Sequence, residues 1–75
     1  MTVDEFVDLV PEMQGMYPEW RAGQAAFNTL LRYRPDLAER VKATNLDPFY
    51  QDAQLADFYL WLKDTWDEIE IARQV

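Results

Sequence analysis

From Ala53 to Arg73 the chain repeats large apolar residues at helical spacing. Leu55, Phe58, Tyr59, Leu62, Trp66 and Ile69 fall within roughly 100° of arc at 3.6 residues per turn. A chain of 75 residues has few ways to hide a stripe of that length. An isolated helix is marginal in water, so the remaining segments must cover this face. The stripe predicts one long C-terminal helix, about residues 53–73, docked on the rest of a single domain over residues 1–75. No segment alternates with period two between turn signals, so no sheet is expected. The expected fold class is all-α: a compact three- to four-helix bundle with a long C-terminal helix.

The shorter helices follow from local signals. Thr2-x-x-Glu5 matches a capping box. Val3, Phe6, Val7 and Val10 then share one helical face, and Pro11 should end or kink that helix, with an exit at Gln14-Gly15 if it continues. Pro18 suits the first turn of a second helix, with Trp20, Gly23, Phe27, Leu30, Leu31 and Arg34 on one side. Arg34-Pro35 breaks it. A short third helix then points Leu37 and Val41 inward, flanked by Ala38, and leaves at Thr44-Asn45. Residues 45–52 read as a loop or single turn, with Asp47 as a cap before Pro48. So small a chain buries only about 60% of its unfolded surface. Three Trp, four Tyr and four Phe compensate, because each ring hides a large apolar area.

Composition removes many chemistries. There is no Cys, His or Ser. Disulfides, thiolate zinc sites, imidazole ligands and cysteine or serine nucleophiles are therefore excluded. Gly15 and Gly23 are too far apart for a phosphate loop. Carboxylate pairs remain (Asp4/Asp8, Asp64/Asp67/Glu68), but acids at i+3 or i+4 on a helix are normally exposed and repel one another. The expectation is a protein that is not an enzyme and carries no cofactor. The opening Met1-Thr2-Val3-Asp4-Glu5 is acidic where a secretory signal would be basic, and no apolar run approaches a membrane span, so a cytoplasmic protein is expected.

The net charge of −7 is unevenly spread. Residues 1–20 carry five acids and no base, residues 21–46 five bases against two acids, and residues 47–75 seven acids against Lys63 and Arg73. This pattern suits internal pairing between a basic middle and acidic ends. It argues against direct nucleic-acid binding, where phosphate attraction dominates affinity.

Two surfaces stand out. On the outer face of the last helix, Asp57, Trp61, Asp64 and Glu68 follow at helical spacing, with Leu60 and Ile71 beside them. Acids around an aromatic form a docking face for a protein partner. The alternative packs Trp61 under the first helix and leaves the acids merely solvated. Exposed Leu60, Trp61 and Ile71 also allow a homodimer. The second surface is the flank Arg21, Gln24 and Asn28, read together with Asp47 in the 45–52 loop. Either these polar groups tie down the loop, with Arg21 neutralising Asp47, or they edge a small pocket floored by Phe27 and Phe49.

The segments Trp20-Arg21-Ala22-Gly23-Gln24-Ala25-Ala26-Phe27-Asn28, Arg34-Pro35-Asp36-Leu37-Ala38 and Thr44-Asn45-Leu46-Asp47-Pro48-Phe49-Tyr50 carry a resemblance. The chain resembles a set of small uncharacterised proteins of bacteria and their phages that share W-R-x-G-Q-x-x-F-N, P-x-L-A and D-P-F-Y blocks. The resemblance covers about residues 20–62 and implies a cytosolic or phage-encoded protein, with no activity to transfer. The expected function is protein–protein binding. The alternative is a phage or mobile-element inhibitor whose carboxylates imitate nucleic-acid charge against a host DNA- or RNA-handling complex.

Overall fold

The computed structural model describes residues 1–74, with side chains described for residues 1–67. Four α-helices and one 3₁₀ turn make up the described residues, and no strand occurs among them. The order is α1 Val3–Met16, α2 Ala22–Tyr33, α3 Pro35–Val41, the 3₁₀ turn Asp52–Gln54 and α4 Leu55–Gln74. The chain is an all-α bundle with a long C-terminal helix.

The capping box forms at the start of α1. Glu5 donates its backbone N–H to Thr2 Oγ1 at 3.1 Å, and Thr2 donates its own to Glu5 Oε1 at 2.9 Å. The helix does not end at Pro11; it continues through Gly15 to Met16. Pro11 lies on the exposed side, while Met13 beyond it is buried in the core. That burial, and the Tyr17 N–H bond to the Met13 carbonyl at 3.0 Å, hold the turn that follows the proline.

Pro18 does not open α2. It occupies the second position of a turn closed by the Trp20 N–H on the Tyr17 carbonyl at 2.9 Å, a place that also suits its fixed φ. The Tyr17 and Trp20 rings stack across this turn at 4.2 Å. The helix starts four residues later at Ala22, with Arg21 in an extended conformation before it. Arg34 ends α2 and begins α3, and Pro35 takes the first helical position. The third helix stops at Val41, earlier than Thr44-Asn45.

Phe58, Leu62 and Trp66 of α4 are fully buried, and Leu55 and Tyr59 pack against the same cluster. Ile69 lies outside the residues with described side chains. The inward stripe meets Phe6 and Val10 of α1, Ala25, Ala26, Phe27 and Leu30 of α2, and Leu37, Ala38 and Val41 of α3. Trp66 is the joint of the bundle. Its ring lies 5.5 Å from Phe6, its Nε1–H donates to the Met1 carbonyl at 3.2 Å, and the Arg34 guanidinium stacks over it at 4.6 Å. Arg34 is only 7% exposed; it forks onto Asp36 through Nε and Nη2, at 3.2 and 3.1 Å. The Cα radius of gyration is 11.8 Å, against about 11 Å expected for a folded chain of this length.

Candidate functional site

The sequence blocks Trp20–Asn28 and Asp47–Tyr50 dock on each other. No Ser, Thr, Asp or Asn stands at the N-cap of α2. Two other residues serve that end. The Gln24 side chain reaches back to accept the Arg21 N–H at 2.9 Å. From the 3₁₀ turn, Asp52 Oδ1 accepts the Gly23 N–H at 2.8 Å. A carboxylate on the first turn also complements the positive end of the helix dipole. Arg21 completes the joint: its Nη2 donates to the Phe49 carbonyl at 2.6 Å, and its Nε lies 3.8 Å from Asp52.

This corrects the expected pairing. Arg21 pairs with Asp52, and Asp47 is engaged elsewhere. Gln24 binds its own helix end, not the loop. Asp47 is buried and staples residues 42–51 from within: Oδ2 accepts the Ala43 N–H at 2.8 Å and Oδ1 the Phe49 N–H at 2.9 Å. Ala43 has φ 61°, the left-handed region that costs a residue with a Cβ about 1–2 kcal/mol. The Asp47 bond fixes that conformation directly after α3.

The bent segment leaves a groove of about 310 Å³ between itself and α2. Phe27 and Phe49, edge to face at 5.8 Å, line it together with Leu31 and Tyr50. Leu31 is 49% exposed and Tyr50 78% exposed. Asn28, Lys42, Ala43 and Asp47 supply the remaining wall. Of the four flank residues, Asn28 and Asp47 thus line the concavity floored by Phe27 and Phe49, while Arg21 and Gln24 hold the helix end beneath it. Leu31, expected on the apolar side of α2, instead stands half in water beside the groove, and nothing in the sequence marks Tyr50 as left exposed.

On α4, Asp57, Leu60 and Asp64 are exposed, with Leu60 at 62%. The Glu68 and Ile71 side chains lie outside the described residues. Trp61 is half-buried, and not under α1. It walls a concavity of about 460 Å³ with Arg40, Val41, Thr44, Asn45 and Leu46, and the Arg40 guanidinium lies 5.8 Å from its ring centroid. Trp61 is thus partly covered, and Leu60 is the large apolar side chain of α4 that stands exposed among the described residues.

The expected pairing of charges is sparse. Among the described residues two ion pairs form, Arg21–Asp52 and Arg34–Asp36. Among the described residues no group of three or more acids could hold a metal ion, and no helix is long and apolar enough to cross a membrane. Set against protein-family models, curated proteins and solved structures, the chain matches none.

Proposed function

We propose that this protein is a small, non-enzymatic module that works by protein–protein binding, taking an apolar side chain into the groove between α2 and residues 42–50. The observation that supports the reading is the juxtaposition of Leu31 and Tyr50. Single exposed hydrophobes are ordinary, but two large ones flanking an aromatic floor form a contiguous apolar patch. Aromatic-lined pockets of this kind are where interface energy concentrates. The walls are set by the Asp47 staple and the α2 docking contacts, so little ordering cost accompanies binding.

The test is affinity capture with the Leu31→Gln/Tyr50→Ser double variant beside the unchanged chain. Both should melt within a few degrees of each other, and only the unchanged chain should retain a partner. Equal retention by both overturns the reading. The charge-mimic alternative draws support from Asp4, Asp8 and Glu12, which are exposed along α1 at one-turn intervals. Competition of the captured complex by duplex DNA separates the two, because only mimicry predicts displacement.

A further inference from the structure

We infer that the groove receives the outer face of α4 from a second copy of this chain, an inference that rests on the reading of the groove given above. The groove asks for a particular chemistry. Its floor is apolar, but Lys42 stands in its wall with no ion pair among the described residues. The Asn28 amide beside it makes no hydrogen bond among them. Arg32, one helical turn beyond Asn28, adds a second exposed cation to that side of α2. The wall's one carboxylate, Asp47, has an oxygen on each of two backbone N–H groups. The complementary ligand is an apolar side chain flanked by carboxylates.

The chain presents that ligand on α4. Leu60 projects into solvent, with Asp57 three residues before it and Asp64 four residues after. Both acids are exposed and unpaired among the described residues. They stand about 10 Å apart along the helix axis, two turns, with the leucine between them. Lys63 stands to the other side of Leu60, away from Trp61. Two copies each carrying −7 repel at long range, but at physiological salt that repulsion is screened beyond about 8 Å. At contact, the local match of a cation-edged groove with an acid-flanked leucine decides.

The experiment is sedimentation velocity of the full chain at physiological salt, from micromolar to millimolar concentration. The weight-average mass of the unchanged protein should rise with concentration. Lys42→Glu reverses the groove's charge and Leu60→Lys removes the apolar knob; each alone should stay at monomer mass with an unchanged melting curve. An equimolar mixture should reach the mass of a dimer and no further, because the first variant keeps its knob and the second its groove. A monomeric unchanged chain at millimolar concentration, a monomeric mixture, or association that survives both substitutions overturns the inference. If the unchanged chain is monomeric yet the Leu31→Gln/Tyr50→Ser variant still loses a captured protein, the groove reading stands and the second copy as its occupant does not.

Discussion

Gly23 gives its backbone N–H to Asp52 across 29 residues of sequence, at 2.8 Å, and this contact closes the N-terminal end of α2. It exists because Gly23 has no side chain. A Cβ there would fall inside the contact distance of the Pro48 carbonyl oxygen and 2.7 Å from Asp52 Oδ1. Gly23→Ala must therefore push the 48–52 backbone away, and its gain in helix propensity of about 1 kcal/mol will not offset the loss. We expect a net cost of about 2–3 kcal/mol, a fall of roughly 10–20 °C in Tm. Gly15→Ala is the control. No described atom outside the local helix lies within 4 Å of that Cβ, so thermal melting should show a gain of about 0.5–1 kcal/mol.

Asp47 and Ala43 form the next test. Asp47→Ala leaves the Ala43 and Phe49 N–H groups without their acceptor in a part-buried setting, at about 2–3 kcal/mol. Ala43→Gly acts in the other direction, since glycine adopts φ 61° freely; denaturant unfolding should show a gain of about 0.5–1 kcal/mol.

Arg34 is buried between Asp36 and Trp66, and its Nη1 has no hydrogen-bond partner among the described residues. Lysine keeps the charge but loses both the fork and the flat stack, so Arg34→Lys should cost about 2–3 kcal/mol. Arg34→Met keeps the apolar contact with Trp66 but takes the cation away from the Asp36 carboxylate, so it should cost more than the lysine variant in the same unfolding assay. The reverse order would mean that the apolar contact with Trp66, not the charge, holds the joint.

Those contacts divide what the sequence disclosed from what it hid. Phe58, Leu62 and Trp66 were legible because a 3.6-residue period records a face directly, and Thr2 with Glu5 because a capping box closes within four residues. Pro18 misled because its fixed φ serves the second position of a turn as well as the first of a helix. The partner of Arg21 was not legible: Asp47 and Asp52 both lie in the following loop, and the path of that loop decides between them. Ala43 gave no signal, since the residue that usually marks a left-handed turn is glycine. The groove was half visible, through Phe27, Asn28 and Phe49. The position of Tyr50 depends on the path of the segment that Asp47 ties at Ala43 and Phe49.

Hydrogen bonds from the Thr2 backbone N–H and then its hydroxyl hold the Glu5 carboxyl below its ordinary pKa. A lowered folded value means that the added stability is present above the unfolded pKa, about 4.3, and is lost as pH falls through the folded one. Glu5→Gln retains an acceptor but not the charge. Its melting temperature should therefore fall less than that of the unchanged chain across this acid window; parallel curves would remove Glu5 from the acid response.

The pairing of groove and α4 face is tested most directly by amide NMR shifts followed from micromolar to millimolar protein. Signals of Leu31, Lys42 and Tyr50 should move together with those of Asp57, Leu60 and Asp64, along one binding curve, while residues along α1 stay fixed. Two stationary sets, or movement of one without the other, would contradict it.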